Sequence, residues 1–241
     1  MTSRMAGEHE AGGAPAAAPV IAIDGPSASG KGTVAERVAR ALGFHYLDSG
    51  ALYRLVALVA IRGGVPWDAE ADLAKLAANL DARFEDGHIF ILNHNVTDEI
   101  RSEACGEGAS RVGAVPAVRI ALLQRQRDYR RMPGLVADGR DMGSVVFPRA
   151  TLKIFLTAGV EIRAERRYKQ LIHKGITANI DALLKDLRDR DERDSSRSVA
   201  PLKRSPDAQF LDTSALTADQ AAQRVLDWYL GAGKLQDTSA R

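Results

Sequence analysis

Val20-Ile21-Ala22-Ile23-Asp24-Gly25-Pro26-Ser27-Ala28-Ser29-Gly30-Lys31-Gly32-Thr33 is the stretch whose reading decides the fold. Its four leading apolar residues suit a short strand buried on both faces, as in a parallel sheet. The residues 25–31 then fit G-x-x-x-x-G-K, set between that strand and a helical stretch at about residues 30–42. Glycines let the backbone curl until several N–H groups face one point, and the helix N-terminus adds partial positive charge. Gly25, Pro26, Ser27, Ala28, Ser29, Gly30, Lys31, Gly32 and Thr33 are therefore expected to cradle the phosphates of a nucleoside triphosphate. The Lys31 charge falls on the outer phosphates. A glycine-rich turn with a surface lysine is the plainer reading, and the flanking strand and helix weigh against it. Gly32 stands where the common form has Ser or Thr, with Thr33 one place later, so the usual hydroxyl ligand for Mg²⁺ is displaced. Motor ATPases and GTPase switches normally use that hydroxyl, and no Asn-Lys-x-Asp guanine motif is present either.

Outward from the loop, Phe44-His45-Tyr46-Leu47, Leu135-Val136-Ala137, Leu152-Lys153-Ile154-Phe155-Leu156 and Gln209-Phe210-Leu211-Asp212 read as further strands. Helical patterns separate most of them, which predicts an α/β fold, a parallel sheet with helices on both faces. Short, turn-separated apolar segments within about residues 76–116 predict a small antiparallel insert. Residues 1–19, rich in Ala, Gly and Pro without periodicity, read as a disordered tail, and 233–241 as a second tail. One domain is expected over residues 20–232.

Hydrophobic residues make up 45% of the 241, enough for a sizeable core, and no apolar run is long enough to span a bilayer. No apolar leader is visible at the start, and the single Cys105 excludes a disulfide framework, so the cytoplasm is expected. The net charge of +2 hides an asymmetry: residues 119–204 hold 20 Lys and Arg against 11 Asp and Glu. Arginine suits bidentate phosphate contacts, but no aromatic ladder is interleaved with these residues, so no nucleic acid is expected as partner. The five histidines show no metal spacing.

Ligands of open parallel sheets lie beyond the carboxyl ends of the strands, and three polar clusters fall there. Asp48-Ser49-Gly50-Ala51-Leu52-Tyr53-Arg54 follows the second strand, with Ser49 able to cap a helix that carries Tyr53 and Arg54. Asp138-Gly139-Arg140-Asp141 follows the third; it reads as a ligand site or as a salt-bridged turn. In the last, Ile180, Leu183, Leu184 and Leu187 form an apolar helix face that continues into Arg190, Asp191 and Asp194. Inward charges need partners, so Arg190 and Asp194 either pair with each other or meet a polar ligand.

With these stretches in view, the chain resembles the bacterial cytidylate kinases of the nucleoside monophosphate kinase family. The resemblance rests on residues 25–33, on 47–54, on the run 135–143 and on 190–202, which ends Ser198-Val199-Ala200-Pro201-Leu202, and it covers roughly residues 20–228. It implies a P-loop nucleoside triphosphate hydrolase-like core, an acceptor-binding part at about 48–116 carrying the insert, and a lid at about 163–190. It implies transfer of the γ-phosphoryl of ATP to CMP, and to dCMP, with Mg²⁺ arriving as MgATP and held mostly through water and phosphate. Lys31 and Arg140 are then the catalytic cations. Ser110, Arg119, Asp141 and Arg197 would face cytosine, Arg190 and Asp194 the ribose, and Arg54 with Arg140 the acceptor phosphate. Ser49 and Tyr53 would flank that phosphate and sugar. Arg163, Arg166 and Arg167 would belong to the lid. A monomer without protein metal ligands is expected.

Overall fold

Ile21 and Ile23 turn to one face of the central sheet and Val20 and Ala22 to the other, and all four are buried. That double burial is why the strand reads as an unbroken apolar run rather than as an alternation. The computed structural model describes residues 17–85 and 87–237. Along the chain come β1 (Val20–Asp24), α1 (Lys31–Leu42), β2 (His45–Asp48), α2 (Ser49–Arg62), α3 (Glu70–Ala78), β3 (Ala82–Glu85), β4 (His88–Ile91) and β5 (His94–Asn95). They are followed by α4 (Glu103–Val112), α5 (Pro116–Arg127), β6 (Leu135–Gly139), β7 (Leu152–Thr157), α6 (Val160–His173), α7 (Ile180–Ser196), β8 (Gln209–Asp212) and α8 (Ala218–Asp237).

Five strands form a parallel sheet in the order β2-β6-β1-β7-β8, with β1 at its centre. Helices α1 and α8 cover one face through Val34, Val38, Ala222 and Val225, and α2 and α5 cover the other. Leu52, Leu55, Val56 and Ala60 of α2 are all buried, because that helix lies between the sheet and α4. Each such leucine contributes about 1.5–3 kcal/mol relative to exposure. The central helix thus fixes the start of α2, where Ser49, Tyr53 and Arg54 stand.

The antiparallel sheet is β3-β4-β5 and ends at Asn95, narrower than the stretch 76–116 expected from sequence. A 3-10 turn at Glu99–Arg101 and then α4 follow it; Ser102 starts α4 by accepting from the Cys105 N–H at 3.3 Å. Of the expected N-terminal tail, residues 1–16 lie outside the described residues. Order begins before Val20, since the carbonyls of Ala18 and Pro19 accept from Arg130 Nε at 2.6 Å and Leu135 N at 2.9 Å. At the other end α8 continues to Asp237, past Gly231 and Gly233 and into residues read as tail. Residues 238–241 lie outside the described residues.

Candidate active site

Asp24 closes β1, and the chain crosses to Lys31, the first residue of α1, through a turn that only glycine allows at two places. Gly30 sits at φ +91°, in the left-handed region, and a Cβ on Gly25 would lie 1.9 Å from the Leu156 carbonyl oxygen. Arg163 Nη1 donates to the Ser27 carbonyl at 3.1 Å and Arg166 Nη1 to the Ser29 carbonyl at 3.2 Å, bracing the loop from α6. Lys31 Nζ donates to the Pro26 carbonyl at 3.3 Å. Burial, then the charge of Arg140, lowers the Lys31 ammonium from its ordinary range to about 8, against the pull of Asp138 and Asp48.

Two carboxylates stand side by side at the strand tips, since Asp48 of β2 is in register with Asp138 of β6. Asp48, not Ser49, caps α2: its Oδ1 accepts from the Ala51 N–H at 3.1 Å. The cap falls one residue earlier than the sequence suggested because Asp48 has the extended backbone of a cap, whereas Ser49 is already helical. The Ser49 hydroxyl instead donates to the Asp138 carbonyl at 2.7 Å. Asp138 is buried, and burial together with Asp48 raises its carboxyl to about 7; the Tyr46 phenol donates to its Oδ1 at 2.8 Å.

Arg140 spans the two halves of the cleft. Its Nη2 donates to Ser27 Oγ of the loop at 2.7 Å and its Nε to Asp194 Oδ2 at 2.8 Å. Asp194 also accepts from Arg197; burial opposes its ionisation, but Arg140 and Arg197 hold its carboxyl below the usual range. Arg119 pairs with Asp141, donates to the Gly113 carbonyl at 3.1 Å, and lies 5.7 Å from the Tyr53 ring centroid. Arg54 Nη1 donates to the Ile100 carbonyl at 2.8 Å, and Arg193 Nε donates to Ser110 Oγ at 3.2 Å. Neither of the two pairings that the sequence left open is made: Arg140 pairs with Asp194 rather than Asp138, and Arg190 with Asp186 at 2.9 Å and Glu103 at 3.4 Å rather than with Asp194. Arg190 Nε and Arg197 Nε are buried without a protein partner. A stranded donor of that kind costs about 1–3 kcal/mol unless something accepts from it.

A cleft of about 1320 Å³ joins these groups. Ser27, Ala28, Lys31 and Gly32 line it on one side; Ser49, Tyr53, Arg54, Ser110, Arg119, Arg140, Asp141, Arg190, Asp194 and Arg197 line the other. Gly25, Pro26, Ser29, Gly30 and Thr33 do not reach its wall. Of the three arginines read as a lid, only Arg167 does, held by Glu103. Arg163 is buried against Asp191 at 2.5 Å, and Arg166 donates to the Thr213 carbonyl at 2.6 Å, so neither is part of a solvated basic face. In α7 the inward stripe is Leu183, Leu187, Arg190 and Asp194, with Ile180 exposed and Asp191 turned to Arg163.

Sequence reasoning passed over Asp24, Tyr46 and Glu103, and read Asp138 only as part of the cluster 138–141, with no role of its own. Asp24 is buried and accepts from the Met142 and Gly143 N–H groups at 2.7 and 2.8 Å, anchoring the π-helical turn Met142–Val146 just beyond Asp141. Its carboxyl is raised to about 6 by burial, against those two hydrogen bonds. A polar residue closing an apolar strand was the available signal for Asp24 and for Asp138. Tyr46 and Glu103 carried none.

The family profile described as cytidylate kinase matches residues 21–230. A cytidylate kinase of Chromobacterium violaceum is 62% identical over 88% of this chain and 95% of its own length. One of Bordetella pertussis is 59% identical over 88% and 96%. A crystal structure of an uncharacterized protein from Eubacterium ventriosum superposes with a TM-score of 0.50 at 12% identity, covering 88% of this chain and 98% of that one. That last likeness shows the fold alone.

Proposed function

The chain belongs to the cytidylate kinase family, and we propose that the cleft holds ATP and CMP end to end, with Arg140 between them. The reaction is ATP + CMP → ADP + CDP. The observation that carries this arrangement is the reach of Arg140 from Ser27 on the loop to Asp194 on α7. ATP takes the loop of residues 25–33, with its outer phosphates at Lys31. The CMP phosphate takes Arg54 and Arg140, flanked by Ser49 and Tyr53; its ribose takes Arg190 and Asp194; its base takes Ser110, Arg119, Asp141 and Arg197. The unpartnered Arg190 Nε and Arg197 Nε support placing the ligand there.

A CMP phosphate is already an anionic nucleophile near neutral pH, so no side chain is required to take a proton from it. The residues act by in-line positioning and by neutralising charge on the transferred group. Lys31, the loop N–H groups, Arg54 and Arg140 supply positive charge on the reacting phosphates from three sides. Asp138 and Asp48 are hard oxygen donors beside Lys31, a pair suited to a hydrated Mg²⁺ rather than to a bare ion. Brought with ATP, that cation supplies further neutralisation of the phosphates.

The helices α6 and α7 form the lid. They touch the acceptor part through Arg167 and Arg190 on Glu103 and Lys174 on Asp98 at 3.2 Å, contacts that substrate phosphates would loosen or replace. Closure keeps water, a rival acceptor, from the phosphoryl group. Part of the arginine excess of residues 119–204 serves this site: Arg119, Arg140, Arg167, Arg190 and Arg197 line the cleft. The protein works as a cytoplasmic monomer without nucleic-acid or membrane partners, and takes dCMP as well as CMP. No helix among the described residues is long and apolar enough to cross a membrane. ATP consumption measured with a panel of monophosphates tests the reading. Rapid turnover is expected with CMP, slower with dCMP and UMP, and almost none with AMP or without acceptor. Equal rates with AMP, or hydrolysis independent of acceptor, contradict it.

A further inference from the structure

The hydroxyl that G-x-x-x-x-G-K loops commonly carry after their lysine is missing at Gly32, and another hydroxyl lies beside that position. A Cβ on Gly32 would stand 3.4 Å from the Tyr46 phenol oxygen and 3.9 Å from Asp138 Oδ2. Tyr46 comes from β2, two residues before the strand tip, and its ring packs against the apolar layer under α1. The phenol donates to Asp138 Oδ1, which leaves Oδ2 of the same carboxylate directed to the loop. One oxygen is pinned and the other presented, so the Asp138 side chain has a single useful orientation beside Lys31. Burial and the neighbouring Asp138 push the phenol up from its ordinary range, so it stays a donor at every working pH.

We propose that Tyr46 stands in for the missing loop hydroxyl, as a positioning residue that aims Asp138 at the water shell of the Mg²⁺ carried by ATP. Gly32 is its counterpart: a Cβ there would already touch the phenol oxygen, and a longer side chain would compete for its place. In the common form, the loop hydroxyl and a strand-end carboxylate share the cation. Here the hydroxyl comes from the neighbouring strand and acts through the carboxylate. The inference rests on Asp138 being the cation side of the ATP site, as read above.

Mn²⁺ binding to the enzyme–ADP complex, followed by electron paramagnetic resonance of the free ion, separates the two claims. Tyr46→Phe keeps the ring and removes one hydrogen bond, so Mn²⁺ affinity is expected to fall about 3–10-fold. CMP affinity, measured by calorimetry on the same variant, is expected to stay within about twofold, which a general loosening of the fold would not allow. Asp138→Asn is expected to lose more than about tenfold in Mn²⁺ affinity. In Tyr46→Phe, the space by residue 32 is freed, and adding Gly32→Ser is expected to restore most of the lost affinity. Gly32→Ser alone, crowding the phenol, is expected to weaken binding. Wild-type Mn²⁺ affinity in Tyr46→Phe, with a loss in Asp138→Asn, overturns the role of Tyr46 and spares the cation reading. Wild-type affinity in Asp138→Asn overturns the cation reading itself. Parallel losses of Mn²⁺ and CMP in Tyr46→Phe reduce the tyrosine to a structural part, and the proposal fails.

Discussion

Asp141→Asn exchanges one oxygen for an amide nitrogen and reverses a single hydrogen-bond direction in the proposed base pocket. Asp141 is buried, and one of its oxygens is committed to Arg119, which is also buried and held by the Gly113 carbonyl. The other oxygen is left for the exocyclic amine of cytosine. Uracil presents a carbonyl at that place, and two acceptors facing each other in a buried site cost about 1–3 kcal/mol. The wild type should therefore favour CMP over UMP by roughly 5–150-fold from this contact alone. The asparagine can keep its oxygen on Arg119 and turn its NH₂ to the base. The penalty on UMP then vanishes and a comparable one falls on CMP, so the ratio is expected to drop by roughly 30- to 10⁴-fold. The fold should survive, since Arg119 still has an oxygen acceptor; the cost is about 1–3 kcal/mol. Asp141→Ala, which strands a buried guanidinium, should cost about 3–5 kcal/mol. The assay is kcat/KM for CMP and for UMP with ADP release coupled to a reporter, alongside urea unfolding. A folded Asn variant with the wild-type CMP to UMP ratio refutes the reasoning.

Lys31→Met should lower turnover by about 10²-fold or more while CMP affinity changes little, because the lost charge acts on the transferred phosphoryl. In the wild type, phosphates brought to Lys31 raise it again from about 8, so nucleotide binding at pH 8.5 should take up protons; calorimetry in buffers of different ionisation enthalpy reads this, and no uptake contradicts it. Asp24 lies above its ordinary 3.8 at about 6, so its contribution to the fold is complete below pH 4 and is lost as pH rises through 6. That loss is worth roughly 3 kcal/mol, and Asp24→Asn should therefore gain on the wild type by about that much between pH 4 and 7 in urea unfolding; parallel pH curves would sink the assignment. Asp194→Ala removes the carboxylate read as a ribose ligand and should narrow the preference for CMP over dCMP, and an unchanged ratio counts against that role.

The sheet was legible because its inner strands β1 and β6 are buried on both faces and begin as apolar runs, and because the loop after β1 has its own residue pattern. The acceptor side was legible where charge interrupts an apolar helix stripe, as at Arg190 and Asp194. What stayed hidden depends on contacts distant in sequence. Arg163 and Arg166 look like surface residues of a basic helix until α6 is laid against the loop, where they meet the carbonyls of residues 27 and 29. The cap of α2 slipped by one residue because Asp48 and Ser49 are both good caps, and only the backbone angles choose between them. Tyr46 is an ordinary strand residue by propensity; its bond to Asp138 spans 92 positions. Sequence periodicity reports which face a residue takes, whereas the partner it meets there is set by the register of β2 on β6.

A crystal structure with CMP bound tests the central arrangement most directly. The account predicts the phosphate within hydrogen-bonding distance of Arg54 and Arg140, the ribose hydroxyls on Arg190 and Asp194, and the cytosine amine on Asp141 with Arg197 alongside. CMP seated away from Arg140, Asp141 and Arg197 would contradict it.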